Sequence, residues 1–403
     1  MNSNPNHASG NRQAGNCRLL IINPGSTSTK LALYEGGAKL LQENIEHRPE
    51  ELRKYDTLAD QVPFRLGLIR DFLSRNGICP TSLDAVVGRG GLVFGIHTGG
   101  YRVGEQLAEA LLDDRYSEPH ASNLGGVLAK MIADEAGIPA YIYDAVTSSE
   151  LPPEARITGF KDIIRVSQAH VLNSRAMAIR CAKELGGEYE KMNFLVAHLG
   201  GGISASAHQR GRIIDTIGDS DGPFSPERAG SVTGQDLVKL CYSGKYTEAQ
   251  MKKLLRGQGG MYAHLGTSDC REIEARIKNG DSYAALILKA QALQIAKCVG
   301  ELCVVLKGDC DAIILTGGIA YSKMLIEMVI EYVAFLAPVF VYPGENEMEA
   351  LAMGGMRLLS GEEAARDYSF PETDLELSPE EQLRIGLESI RKEESASTPP
   401  QHE

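Results

Sequence analysis

Four consecutive apolar residues, Leu19-Leu20-Ile21-Ile22, run into a cluster of small, hydroxyl and amide residues at 23–30, and a second apolar run follows. That alternation predicts a strand, a tight turn and a returning strand. The pattern recurs. Shifting the chain by 175 residues lays Leu19-Leu20-Ile21-Ile22-Asn23-Pro24-Gly25 on Phe194-Leu195-Val196-Ala197-His198-Leu199-Gly200, and Gly36 on Gly211. A shift of 227 lays Asp84-Ala85-Val86-Val87-Gly88-Arg89-Gly90-Gly91 on Asp311-Ala312-Ile313-Ile314-Leu315-Thr316-Gly317-Gly318, and a shift of 199 lays Pro139-Ala140-Tyr141-Ile142-Tyr143 on Pro338-Val339-Phe340-Val341-Tyr342. The three pairs keep one order along the chain, which predicts a duplicated unit. Between them, apolar residues at helical spacing predict helices over 106–112, 124–135, 173–185 and 282–306. Strands alternating with helices imply parallel sheets covered by helices, an α/β fold.

A chain of 403 residues exceeds what one core usually serves, so two domains are expected. The junction falls between 147 and 167, where Leu151-Pro152-Pro153-Glu154 interrupts regular structure. Residues 1–16 are Asn-rich and polar and read as a disordered tail. The expected division is then 17–160 for an N-terminal domain completed by 345–361, 161–344 for a C-terminal nucleotide-binding domain, and 362–403 for an acidic tail. Within that tail Ser378-Pro379-Glu380-Glu381 reads as a helix start leading into Leu383, Leu387 and Ile390.

With 43% hydrophobic and 23% charged residues the composition is that of a globular protein. The net charge of −12, from 41 basic and 53 acidic residues with no basic cluster, argues against nucleic acid as a partner. No apolar run is long enough to span a membrane, and no secretory signal precedes the first strand. The eight cysteines include no Cys-x-x-Cys, which reads as reduced thiols in a cytoplasmic protein.

The candidate chemistry sits where apolar runs end in small residues. The hairpin tip at 23–30 can hold phosphate oxygens through Ser26, Ser28 and backbone N–H groups, or be an ordinary Ser/Thr-rich turn. Its counterpart, His198-Leu199-Gly200-Gly201-Gly202, leaves backbone N–H groups bare for a polyphosphate. The spacing from Gly200 matches a dinucleotide fingerprint, but that motif must open a helix and 203–208 reads as a strand. No Walker loop is present, because Gly244-Lys245 is followed by Tyr246. Arg89, in a glycine-rich turn after a strand, could grip carboxylate and phosphoryl oxygens with its guanidinium fork, or be a surface side chain.

The full set of motifs is Asn-Pro-Gly-Ser-Thr-Ser at 23, Val-Val-Gly-Arg-Gly-Gly at 86, Glu-Pro-His-Ala-Ser-Asn-Leu-Gly at 118, Ala-His-Leu-Gly-Gly-Gly-Ile-Ser at 197, Gly-Pro-Phe-Ser-Pro-Glu-Arg-Ala-Gly at 222, Ser-Asp-x-Arg-Glu at 268, Leu-Thr-Gly-Gly at 315 and Tyr-Pro-Gly-Glu-x-Glu-Met-Glu-Ala-Leu at 342. From about 19 to 368 the chain resembles the acetate and sugar kinase, heat-shock chaperone and actin superfamily, within it the acetate kinase family, and there its butyrate kinase branch.

The resemblance implies two duplicated actin-like (ribonuclease H-like) domains with a nucleotide cleft between them. It implies transfer of the γ-phosphoryl group of ATP to a short-chain carboxylate, giving an acyl phosphate and ADP, with Mg2+; the reverse reaction makes ATP. It further implies a homodimer or higher homo-oligomer and an acyl-CoA phosphotransferase as pathway neighbour. His170 corresponds to the family's histidine that hydrogen-bonds the migrating phosphoryl group; on sequence alone it could equally be a capping or core residue. Asp144, at the end of an apolar strand, would orient the catalytic arginine or the metal shell, or serve as a cap. His120 would lie on the substrate side. His198 and Gly200, Gly201 and Gly202 would contact phosphates, Gly317 and Gly318 the α-phosphate or ribose side, and Asp269 and Arg271 the adenosine end, although the last two could simply start a helix. Glu347 with Asn23 would hold the metal, with Glu349 competing. The family's second catalytic arginine is missing at its usual place, and Arg228 is the candidate replacement. Other readings remain: an acetate or propionate kinase, or a non-catalytic ATP-binding switch of the same fold. A sugar kinase would need a catalytic-base Asp-Gly-Thr-type loop that the opening Asn-Pro-Gly-Ser does not supply.

Overall fold

In the computed structural model, residues 16–370 are described. The tail helix expected past 378, and all but the last residue of the N-terminal tail, lie outside them. The chain falls into two compact units: one is formed by residues up to 95, 99–145 and 348–370, the other by 96–98 and 146–347.

In the first unit, seven strands lie in the order β12-β5-β6-β4-β1-β2-β3. They are β1 (Arg18–Pro24), β2 (Ser28–Glu35), β3 (Ala38–Glu46), β4 (Ala85–Arg89), β5 (Gly100–Arg102), β6 (Ala140–Tyr143) and β12 (Arg366–Asp367). β1, β2 and β3 form an antiparallel meander; β4 lies parallel to β1, and β6 parallel to β4. In the second unit the order is β11-β10-β7-β8-β9, from β7 (Asn193–Leu199), β8 (Ile203–Gln209), β9 (Arg212–Ile217), β10 (Ala312–Gly317) and β11 (Val339–Pro343). Again the first three are antiparallel, with β10 parallel to β7 and β11 parallel to β10. The run β6-β4-β1-β2-β3 repeats the order of the second sheet once β1, β4 and β6 are matched to β7, β10 and β11, the three pairs that the internal repeat aligns; β5 and β12 extend the first sheet beyond it. This is the duplicated α/β arrangement that the resemblance implies.

Every residue of β4, β7 and β10 is buried, which accounts for their near-continuous apolar runs. The Leu124–Ala136 helix packs on β4 and β6 and ends at Gly137 in the left-handed conformation. The Val171–Glu184 helix packs on β7 and β10, and the Ser282–Val305 helix on β7, β8 and β9. All eight cysteines are free thiols. Among the described residues no helix is long and apolar enough to cross a membrane.

Sequence and structure part at the far end of the sheet. The acidic tail is expected from 362, yet Arg366–Asp367 pairs with β5, and Glu363 accepts hydrogen bonds from Tyr143 and from the Gly100 N–H. Two paired residues carry no periodicity, so only the partner strand reveals them.

Candidate active site

β1, β4 and β6 are adjacent parallel strands, so their carboxyl ends share one edge, the usual place for functional groups in such sheets. Asn23, Arg89 and Asp144 occupy that edge. Asn23 is buried and pairs in register with Lys30. Arg89 pairs with Tyr143, which puts Asp144 one residue further along the neighbouring strand. Arg89 is only 9% exposed, which removes the surface-side-chain alternative. The glycines around it serve close packing: a Cβ on Gly90 would lie 2.7 Å from the Ala145 Cα, and one on Gly91 2.1 Å from the Asn123 Oδ1. Asn123 holds this turn, accepting the Leu92 N–H at 2.8 Å and donating to Ser117 and Glu118.

Asp144 has φ +44°, uncommon for a residue with a side chain, and is 1% exposed. It exchanges two bonds with Gly99: its Oδ1 accepts the Gly99 N–H at 2.7 Å and its own N–H donates to the Gly99 carbonyl at 3.0 Å. One carboxylate oxygen therefore has the capping role that the sequence left open. His120 is exposed and caps the short 3-10 turn Ala121–Asn123, its Nδ1 accepting the Ser122 N–H at 3.2 Å. That acceptor role places the ring proton on Nε2. At the hairpin tip the Gly25 N–H donates to the Ser28 carbonyl at 2.8 Å, with Ser26 exposed and Ser28 half-buried.

The second unit repeats the layout. His198, Gly317 and the residues after Pro343 sit at the carboxyl ends of the adjacent parallel strands β7, β10 and β11. His198 is 2% exposed; its Nδ1 lies 3.1 Å from the Asn173 Oδ1, which also accepts from the Thr316 hydroxyl at 3.1 Å. Its Nε2 is buried without a hydrogen-bond partner, 3.7 Å from a Glu345 carboxylate oxygen. The His170 ring stacks on His198 with centroids 3.9 Å apart and planes 10° off parallel. Ser204 fixes His170: its Oγ accepts the His170 backbone N–H at 3.2 Å and lies 2.8 Å from the ring Nδ1.

The glycines after β7 line a cradle. A Cβ on Gly200 would meet the Glu345 carboxylate and the His198 Nε2 at 2.8 Å, and one on Gly202 would meet the Arg228 Nη1 at 2.2 Å; Gly201 faces open space. Arg228 thus lies against the cradle, paired with Asp219, which also receives Arg256 at 3.0 Å. Burial and the neighbouring Arg256 pull the Arg228 guanidinium down to about 10. Gly317, at φ +93°, has the Leu199 carbonyl oxygen 2.3 Å from where a Cβ would stand, while Gly318 is open.

Asp269 and Arg271 form the exposed start of the Cys270–Lys278 helix. The Asp269 Oδ1 accepts the Arg271 N–H at 2.9 Å, and the two side chains pair at 2.7 Å, holding the carboxyl near pKa 2. Glu347 is half-buried and opens the Glu347–Ser360 helix; the exposed Glu349 helps burial to push Tyr34 up to about 12. Among the described residues no group of three or more His, Cys, Asp or Glu could hold a metal. Asn23 in the first unit and Glu347 in the second each carry an oxygen donor of the kind a hard cation takes.

Asn123 in the first unit, and Asn173, Ser204 and Glu345 in the second, touch candidate residues of their own unit and were not among those the sequence pointed to. Each stands inside a recognised motif or within one turn of His170, which was the available signal.

The family model for the acetokinase family matches residues 160–369. A probable butyrate kinase 2 from Caldanaerobacter subterraneus is 47% identical over 352 residues, 87% of this chain and 99% of that protein. Butyrate kinase 1 of Clostridium acetobutylicum is 47% identical over 353 residues, with the same coverage. Among solved structures, the acetate kinase of Porphyromonas gingivalis matches with a TM-score of 0.69 at 20% identity, covering 85% of this chain and all of that one. A propionate kinase from Francisella tularensis matches at 0.65 and 19%, covering 83% and 98%. The structural matches establish the two-sheet α/β fold, the sequence relatives extend over nearly their whole length, and the chain therefore belongs to the acetokinase family.

Proposed function

We propose that this protein is a butyrate kinase: it transfers the γ-phosphoryl group of ATP to the carboxylate of butyrate or a related short-chain or branched acid, and runs in reverse to make ATP. The observation that carries the reading is the cradle after β7, where three glycines stand beside the buried Nε2 of His198 and Gly201 faces open space. The butyrate kinases among the relatives supply the reaction class.

Butyrate is ionised at neutral pH, so the reaction needs no strong base; it needs positioning and charge neutralisation. Arg89 holds the carboxylate and the incoming phosphoryl oxygens, its buried guanidinium fixed by the tight turn. Asp144 orients that arginine through the carboxylate oxygen not engaged by Gly99. His120 presents its Nε2–H on the substrate side. His170, held at Nδ1 by Ser204, donates from Nε2 to the phosphoryl group as charge develops. Gly200, Gly201 and Gly202 border the nucleotide phosphates with His198 as the wall behind them, Arg228 adds positive charge at the end of the cradle, Gly317 and Gly318 border the α-phosphate, and Asp269 and Arg271 face the adenosine end. Ser26, Ser28 and Asn23 serve the phosphoryl group at the hairpin. When bound, Mg2+ neutralises charge on the phosphate oxygens, and Asn23 and Glu347 are the side chains that would hold it.

The protein acts in the cytoplasm as a homo-oligomer. The Gly234–Cys241 helix supports association, since it buries none of its residues and exposes Val238 and Leu240; light scattering of the purified protein checks it. Hydroxylamine trapping of acyl phosphate, with Mg-ATP and acids from formate to hexanoate plus isobutyrate and isovalerate, tests the activity. A maximum at butyrate or a branched acid is expected. No trapped product with any acid would overturn the reading.

A further inference from the structure

Arg65 lies on the Val62–Arg75 helix, far in sequence from every motif, yet its side chain is completely buried beneath the β1–β2 hairpin. All five of its N–H groups are used. Nη1 donates to the Ser28 carbonyl at 3.2 Å and the Thr29 hydroxyl at 3.0 Å, Nη2 to the Gly25 carbonyl at 3.0 Å, and both Nε and Nη2 to the Gln61 Oε1 at 3.2 and 3.1 Å. Each of these acceptors is neutral. Burial lowers the guanidinium to about 10 and no acidic neighbour raises it, so it stays charged at neutral pH without a counter-ion among the described residues. His47, which shares the Thr29 hydroxyl with Arg65, does not supply one. Its Nε2 lies 2.9 Å from the Thr29 hydroxyl, and burial and then the Arg65 charge pull the imidazole below its ordinary value, against the opposing pull of Glu51.

A buried charge without a partner is destabilising, and a neutral core would avoid that cost. The hairpin geometry supplies a reason to keep it. In a planar trans peptide the C=O and the following N–H point in opposite directions. With the Gly25 carbonyl drawn down to Arg65, the Ser26 N–H points up, away from the guanidinium and toward the exposed side of the turn. We infer that Arg65 is the positioning residue of this hairpin: it turns the Ser26 N–H outward and sets an uncompensated positive charge behind the turn, so that the missing counter-ion is the phosphoryl group of the substrate. The inference rests on the reading of the hairpin as a phosphate-holding element.

Two substitutions at Gln61 separate charge from structure. Gln61→Glu keeps the shape and the acceptor while giving Arg65 a carboxylate; Gln61→Met keeps the charge and removes the acceptor. With acyl phosphate formation and thermal melting as readouts, Gln61→Glu should melt at or above the parent temperature while kcat falls at least about fivefold, at an unchanged KM for butyrate. Gln61→Met should melt lower but keep kcat within about twofold. The reverse pattern, or parental turnover in a Gln61→Glu protein that melts normally, overturns the inference. Asn23→Ala distinguishes the two levels: lost turnover there with none lost in Gln61→Glu removes the role of Arg65 alone, whereas parental turnover in Asn23→Ala removes the phosphate reading of the hairpin and the inference with it.

Discussion

Replacing Gly88 by Ala would test how tightly Arg89 is held. Gly88 lies in β4, where the Leu124–Ala136 helix crosses with its backbone against the strand. An added Cβ would stand 2.1 Å from the Gly125 carbonyl oxygen, 2.3 Å from its carbon and 2.8 Å from the Gly126 nitrogen. Side chains almost never approach within 3.0 Å, so helix and strand must separate by roughly 1 Å. None of the clashing atoms belongs to a flexible side chain, and the helix cannot move alone because Leu124, Val127, Leu128, Ile132 and Ala133 are buried in the same core. Overpacking of this kind costs about 1–3 kcal/mol, and here the rigid backbone puts the expected loss at the upper end. The displaced residue is next to Arg89, and a shift of about 1 Å in a positioning group can cost on the order of 100-fold in rate. Urea unfolding should therefore show a loss of about 3 kcal/mol, and acyl phosphate formation should fall at least tenfold under conditions where the variant is fully folded. A variant with parental stability and parental kcat would refute the claim that this backbone contact holds the arginine.

Asn173→Ala leaves both the His198 Nδ1 and the Thr316 hydroxyl buried without their shared acceptor; a loss of about 2 kcal/mol in urea unfolding is expected, with reduced turnover as the His198 ring loosens. His208 is fully buried between the Tyr189 and Ser206 hydroxyls, and burial lowers its pKa from 6.5 to about 3. Below pH 6.5 the unfolded chain takes up a proton that the folded one refuses, so stability should fall as pH drops from about 6.5 toward 3, and His208→Gln should flatten that slope. Thiol labelling of the native protein at pH 8 should be fast at the exposed Cys79 and Cys241 and slow elsewhere, because Cys17, Cys181, Cys298 and Cys303 are buried and burial pushes the Cys270, Cys298 and Cys310 thiols up to about 11 or 12. Fast labelling of all eight in the native state would contradict the described core.

Residues whose role is written in local pattern were legible early. The three offset pairs identified β1, β4 and β6 with β7, β10 and β11, because a buried strand announces itself as an apolar run and its sharp turn as a glycine. Asn23, Arg89, Asp144 and His198 could be placed at strand ends for the same reason. The ambiguous cases divided on contact alone. Arg89 is buried rather than on the surface, whereas Asp269 and Arg271 are engaged with each other at an exposed helix start. Arg65 carried a faint signal: it occupies a position in the same helical stripe as Ile69 and Phe72, which are buried. A charged residue in an apolar stripe shows that something unusual is buried, and says nothing about what it meets.

The sequence by itself determined the α/β class, the duplication and the candidate chemistry at the turns, because periodicity and turn residues act over a few neighbours. Only the tertiary structure decided which ring stacks on His170, which asparagine orients His198, why Gly88 and Gly125 must lack side chains, and that Arg65 reaches across about forty residues of chain to hold a hairpin. Those facts depend on groups brought within a few ångströms by the packing of whole elements, and no local pattern encodes such a distance.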